Sequence, residues 1–280
     1  MNSLEQYDAV CFELSGRVVA RYSSNFTIGI RALHPRFRAS IKAIYAFVRF
    51  ADEIVDTFHG HDQRTLLDRF AMDAREALHH RISLNPVLHA FQHVAHRHGI
   101  GPELIEPFLH SMSMDLDRHT HDRSSLEQYI HGSAEVVGLM CLRVFCEGDA
   151  AKYAALSPAA MRLGAAFQKV NFLRDIREDQ ATLGRNYFPG VEAPRLDQAT
   201  KRHIESDLAE DFQAGLAGIR DLPYGARFGV HMAYTYYFAL FRKIQRASGE
   251  TVMRQRIRIP GHAKFGLLIA GLLRYRLSSR

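Results

Sequence analysis

The chain is expected to fold as an all-α protein, and three observations predict it. Apolar residues recur at three- and four-residue spacing through most of the 280 residues, the stride of one helical face. No Asn-Gly or Asp-Gly pair sits between alternating apolar and polar runs, so the strongest hairpin signal is missing. Several periodic segments open on a capping residue followed by proline, as at Asn85-Pro86, where Pro takes the first helical position without wasting an N–H.

In chain order, the periodicity predicts helices near 3–20, 36–58, 62–81, 86–98, 102–116, 124–146, 157–182, 197–218, 225–247 and 261–277. Asp62 in "HGHDQ" reads as the start of the third. Asn85-Pro86 and Gly101-Pro102 open the fourth and fifth, and Ser157-Pro158 is read as the cap of the seventh. The longest irregular stretches are 21–35 and 183–196. With no linker or low-complexity segment, residues 1–280 are read as one domain.

A 47% share of hydrophobic residues is enough for a sizeable core, and the net charge of +6 favours an anionic partner. The basic residues are scattered, so a nucleic-acid stripe is not expected; phosphate-bearing ligands or a membrane surface fit better. Cys11, Cys141 and Cys146 form no C-x-x-C and read as reduced thiols of a cytoplasmic protein. The start, MNSLEQYDAV, does not resemble a signal peptide. The run "FGLLIAGLL" at 265–273 falls short of the ~20 residues that span a bilayer. A soluble protein is expected, with peripheral contact at the inner face of a membrane left open. The segment "GHAKFGLLIAGLLRYRLSSR" could supply that contact, although a closing helix of the domain is the preferred reading.

Two helices carry the chemistry. In "SIKAIYAFVRFADEIVD" the apolar stripe Ile41, Ile44, Tyr45, Val48 continues by helical steps to Asp52 and Asp56. In "QKVNFLRDIREDQ" one polar stripe holds Gln168, Asn171, Asp175 and Asp179, on a helix whose early part is apolar on most sides. Arg49 is expected to pair with Glu53, and Arg174 with Glu178, leaving the four aspartates without helpers. Inward carboxylates without partners are costly, so a cation is expected between the helices. Mg²⁺ suits the arrangement because it is usually held by one or two carboxylates plus substrate phosphates and water. Arg49, Arg174 and Arg185 would then meet phosphate oxygens.

These residues resemble the squalene and phytoene synthases. "YAFVRFADEIVD" matches the family's first aspartate pattern through Tyr45, Ala46, Arg49, Asp52, Glu53 and Asp56. "QKVNFLRDIREDQATLGRNYFP" matches the second through Gln168, Asn171, Arg174, Asp175, Asp179, Gly184, Arg185, Tyr187 and Pro189. Upstream, Ser23 and Phe26 match a diphosphate-contacting segment in which Asn25 replaces a second serine. Between the motifs, "MDL" at 114–116 and Tyr129, Ala134, Val137 and Gly138 match the middle helices, with His131 standing where a tyrosine is frequent.

The resemblance implies an isoprenoid-synthase domain whose helices surround a central cavity. Asp52, Glu53, Asp56, Asn171, Asp175 and Asp179 would hold Mg²⁺, with Mn²⁺ as an alternative. Ser23, Phe26, Tyr45, Arg49, Gln168, Asn171, Arg174, Arg185 and Tyr187 would bind a prenyl diphosphate. Asp52, Asp56, Asp175, Asp179 and Tyr129 would be catalytic. The implied reaction joins two identical allylic diphosphates through a cyclopropyl diphosphate. Phytoene from geranylgeranyl diphosphate is the expected product and needs no NADPH. Squalene or dehydrosqualene from farnesyl diphosphate is the second reading. A non-catalytic binding relative should have lost aspartates, and all four are present.

Other signals are set aside. His59, His61 and Asp62 read as a loop and cap rather than a metal phosphohydrolase centre, and the histidines at 96–98 and 119–121 as solvated. Tyr129 and Tyr187 are preferred as cavity wall over the run Tyr234, Tyr236, Tyr237.

Overall fold

Most helix starts in this chain are set by side chains that accept from backbone N–H groups the helix cannot itself satisfy. In the computed structural model, which describes residues 2–191, 195–260 and 266, Asn2 and Glu5 form a reciprocal capping box at the head of α1, Ser3–Tyr22. Ser23 accepts from Phe26 N–H and opens α2, Ser24–Ala32. Pro35 starts α3, Pro35–Thr57. Asp62 caps α4, Gln63–His80, and Asn85 caps α5, Pro86–His98. Next come α6, Pro102–Asp117, and α7, Arg123–Ile130. A π-helical turn, His131–Glu135, carries α7 without a break into α8, Val136–Cys146. The longest helix, α9, is Ala150–Glu178 and ends in a second π turn, Asp179–Leu183. The remaining helices are α10, Gln198–Asp221, α11, Tyr224–Arg246, and α12, Gly249–Arg254.

The structure departs from the sequence reading at three places. Residues 24–32, expected to be irregular, form α2, because Ser23 is a helix cap and not a loop residue. The seventh helix does not start at Ser157-Pro158. It starts at Ala150, capped by Asp149 just after the left-handed pair Glu147 and Gly148, and it runs through Pro158. Ser157 Oγ bonds back to Tyr153 O at 2.6 Å, the local adjustment expected where a proline interrupts the ladder. The short α12 has no counterpart among the expected helices. Apart from Gly266, the expected helix near 261–277 lies outside the described residues, and so does the segment considered for a membrane surface.

Two helices carry most of the packing. α3 lies against α1, α5, α4, α6 and α8, while α9 lies against α8, α10, α11 and α12. Beneath α3, Phe47 is wholly buried, stacked on Phe91 at 4.0 Å and tilted against Phe108 at 5.2 Å. Burying one such ring stabilises the fold by roughly 1.5–3 kcal/mol. The π turn is wedged between α6 and α9. A Cβ on Gly132 would fall 1.8 Å from Ser111 Oγ, and a Cβ on Gly164 would fall 2.6 Å from Ala134 O. Only glycine permits both approaches. Among the described residues, one continuous helix, Arg123–Cys146, is long and apolar enough to cross a membrane, and most of it is core. All three cysteines are free thiols.

Near the N-terminus, Asp8, His89 and His93 come together and tie α1 to α5, with Asp8 Oδ1 2.7 Å and 3.2 Å from the two Nε2 atoms. Ser83 N–H donates to His89 Nδ1, which leaves the His89 proton on Nε2, pointing at Asp8. A ligating histidine normally does the reverse, donating its other N–H outward, so the cluster is a helix clamp and not a metal centre.

Candidate active site

α3 and α9 bring the two aspartate pairs together, because a stride of four residues keeps each pair on one helical face. Their proximity is registered electrostatically. Burial, and then the negative charges of Asp175 and Asp56, push the Asp179 carboxyl up to about 7. Asp52 is pushed up to about 8 by desolvation and by Asp56, against the pull of Arg49. Its side chain nevertheless keeps 35% of its surface accessible. A carboxylate that water can reach while protein surrounds it on most sides lies in a concavity.

Arginines answer these charges differently from expectation. Arg49 does pair with Glu53, and also approaches Asp52 at 3.9 Å. Arg174 does not reach for Glu178. It forks onto its neighbour Asp175, Nε to Oδ1 at 2.9 Å and Nη2 to Oδ2 at 2.5 Å. Glu178 is taken instead by Arg256, which also lies 2.8 Å from Asp175. The expectation that the aspartates lack helpers is therefore corrected. Arg185 is 5% exposed and donates to Asp56 at 2.7 Å and to Val55 O at 3.0 Å. Two of its nitrogens are thus committed to α3 before any ligand arrives.

Asp115, inside the "MDL" segment but not singled out, is the buried centre of the site. Tyr129 OH donates to it at 2.8 Å and Tyr187 OH at 3.2 Å, and Arg185 lies 3.6 Å away. Desolvation lifts its carboxyl to about 7 despite these partners. The same burial, with Asp115 alongside, raises both phenols well above their ordinary value. Phe172 stacks on Tyr187 at 4.1 Å. His121 is not solvated as expected: it is buried, parallel to Tyr187 at 5.7 Å and 5.2 Å from Tyr129. Two loops close over this box, with Asn186 N–H donating to His119 O at 2.7 Å.

On the far side, Ser23 holds α2 in place while its hydroxyl also bonds with Tyr45. Phe26 lies 5.7 Å from Tyr45 and 6.0 Å from Tyr237. The side chains of Ser24 and Asn25 lie outside the described residues. Tyr237, ranked below Tyr129 and Tyr187 from sequence, is part of this wall. It is buried, stacks on Phe167 at 4.1 Å and hydrogen-bonds with Asn171. Asn171 Nδ2 also points to Gln168 Oε1 at 3.4 Å, whereas its Oδ1 is buried with no partner.

That orphaned oxygen tests the fit to a metal. Asn171 Oδ1 and the aspartate carboxylates are all hard oxygen donors, the set that Mg²⁺ takes. A buried acceptor without a donor is costly unless a cation completes it.

Comparison with known proteins agrees with this geometry. The family model for squalene/phytoene synthase matches residues 19–263. A 15-cis-phytoene synthase of Paracoccus sp. (strain N81106 / MBIC 01143) is 28% identical over 92% of this chain and 89% of its own. A presqualene diphosphate synthase of Zymomonas mobilis subsp. mobilis (strain ATCC 31821 / ZM4 / CP4) is 30% identical over 92% of this chain and 90% of its own. The crystal structure of a dehydrosqualene synthase in complex with ligand superimposes with a TM-score of 0.84 over 100% of both chains at 20% identity. That likeness bears on the fold. With the family model spanning nearly all the helices around the two aspartate pairs, the chain belongs to the squalene/phytoene synthase family, prenyltransferases of head-to-head condensation.

Proposed function

We propose that the chain condenses two geranylgeranyl diphosphates head to head, through a cyclopropyl diphosphate, to phytoene. The observation that carries the prenyl diphosphate reading is the confrontation of Asp52 and Asp56 with Asp175 and Asp179, carboxylates whose mutual repulsion calls for a cation. Asp52, Asp56, Asp175, Asp179 and the free Oδ1 of Asn171 are the candidate holders of Mg²⁺, with Glu53 in reach only if it gives up Arg49. When bound, Mg²⁺ supplies charge neutralisation to the diphosphate leaving group.

The chain's own residues do the rest. Arg49 and Arg174 orient diphosphate oxygens, for which the planar guanidinium fork is suited. Arg185 positions Asp56 and the loop that carries Tyr187. Tyr129, Tyr187 and Phe172 on one side, and Phe26, Tyr45, Phe167 and Tyr237 on the other, exclude water from an allylic cation and offer it π faces. Asp115 fixes the Tyr129 and Tyr187 hydroxyls, so that neither is free to capture the cation.

Phytoene is supported by the phytoene synthases that match over 92% and 91% of the chain. The second reading, farnesyl diphosphate as substrate, is supported by the presqualene diphosphate synthase relative. Incubating the protein and Mg²⁺ with each diphosphate, with and without NADPH, and identifying the extracted product by mass distinguishes them. Phytoene from geranylgeranyl diphosphate is the expected outcome. A product from farnesyl diphosphate alone overturns the chain length and keeps the reaction type.

A further inference from the structure

Directly after α12, residues 255–260 stay against the helices. They run as a strap beside α9 and α11. Ile257 and Ile259 are buried, Lys243 Nζ donates to Arg258 O at 2.6 Å, and Arg177 donates to Arg254 O at 2.8 Å. Between these anchors Arg256 reaches α9. Its Nε lies 2.8 Å from Asp175 Oδ1 and its Nη1 lies 2.7 Å from Glu178 Oε2.

Asp175 is thereby enclosed. Arg174 forks onto both its oxygens, and Arg256 adds a further donor on Oδ1. A divalent cation bound to that oxygen would sit against a guanidinium, and like charges at contact distance in a desolvated site repel strongly. Either the cation avoids Asp175 or Arg256 withdraws. The strap provides for withdrawal, because Glu178 is half exposed and already bonded to the same guanidinium.

We infer that Arg256 is a built-in competitor of the divalent cation, neutralising Asp175 in its absence and falling back on Glu178 when the cation arrives. The inference rests on the reading of Asp175 as a metal ligand. Arg256 is a positioning residue in this account: it sets how firmly Asp175 is held back, and it requires no contact with the reacting carbons. Metal entry and release of the strap become one equilibrium, so a cation arriving without diphosphate meets an opposing charge.

The test uses Mn²⁺ as the probe, titrated into the full chain without diphosphate and followed by electron paramagnetic resonance. Arg256→Gln should bind Mn²⁺ roughly tenfold more tightly than wild type, the scale of one charge-assisted hydrogen bond removed. Glu178→Gln should bind it more weakly, because the guanidinium loses its second partner and holds Asp175 harder. Loss of either charge shifts Mn²⁺ affinity in these same directions through its field alone, so the strap's amide exchange is the readout that separates a competitor from a bystander. Hydrogen exchange of the 255–260 amides in wild type should quicken when Mn²⁺ is added, a readout that does not depend on either variant folding. Equal or weaker Mn²⁺ binding by Arg256→Gln overturns the inference, as does Mn²⁺ binding to wild type with no change in strap exchange. If wild type binds no Mn²⁺ even with inorganic diphosphate present, the metal reading itself fails.

Discussion

Asp115 and the four motif aspartates make different predictions because their partners differ. Asp52→Asn and Asp175→Asn each remove a candidate cation ligand, and loss of such charge stabilisation commonly costs ~10²–10³ in rate. Turnover should fall by at least that much with the helical circular dichroism unchanged; wild-type turnover in either variant would exclude that aspartate as a ligand. Asp115→Asn is milder. It keeps one acceptor for Tyr129 or Tyr187 but turns an amide N–H₂ toward the other hydroxyl, and hydrogen bonds to charged groups are worth about 1.5–3 kcal/mol. Product formation should fall roughly tenfold to a hundredfold, with water-captured prenyl alcohol appearing beside the hydrocarbon in the mass profile. An unchanged product profile would mean that the two phenols need no such anchor. Asp115 is hard to single out from sequence because its partners lie 14 and 72 residues away and no helical stride links them. Asp52 and Asp56, by contrast, continue an apolar stripe and can be read directly.

At the scale of elements, α3 and α9 are legible where periodicity governs and illegible where caps and breakers compete. Pro158 has the look of a first-turn proline, yet the cap is Asp149, eight residues before Ser157, and the helix tolerates the break. Ser23 resembles a loop residue because a cap and a turn use the same side-chain oxygen. Arg256 lies just past a short helix, and nothing in its neighbourhood announces a reach back of 81 residues to Asp175. The packing of the π turn yields a prediction that belongs here. Gly132→Ala places a methyl group against Ser111 Oγ and Pro107 O, at built distances of 1.8 and 2.2 Å. Overpacking of this kind costs about 1–3 kcal/mol, and each kcal/mol lowers Tm by ~2–4 °C in a chain of about this size. A melting temperature several degrees below wild type is expected by calorimetry; an unchanged value would show that α6 can move aside.

The whole molecule titrates as well as its residues. Asp52, Asp115 and Asp179 hold their protons more tightly in the fold than in the unfolded chain, with carboxyls raised to about 8, 7 and 7. Their contribution to stability is fully present below the unfolded value near 4 and is lost as pH rises through about 7 to 8. Asp8 and Glu106, lowered by His89 and Arg75, act the other way and lose stability as pH falls below about 4. The metal-free protein should therefore melt highest in acid, near pH 4 to 5, in a series of thermal scans. Mg²⁺ with diphosphate should move that maximum toward neutrality and release protons on binding, seen as a buffer-dependent heat in titration calorimetry. A melting temperature that rises steadily from pH 5 to 8 without metal would contradict the raised carboxyls.

The π turn after Tyr129 also bears on how the chain can be shortened. A π turn holds one residue more than the α-helix around it needs. Removing a single residue from His131–Glu135 would let α7 run straight into α8 with the facing of α7 almost unchanged, because five π-helical residues and four α-helical ones each make little more than one turn. Tyr129 would still face Asp115 and Tyr187, whereas the same deletion within α8 has no such slack and would rotate what precedes it by about 100°. A chain shortened in the π turn would keep both its helical spectrum and its aromatic box, so this turn is where a relative or design can lose a residue with least disturbance.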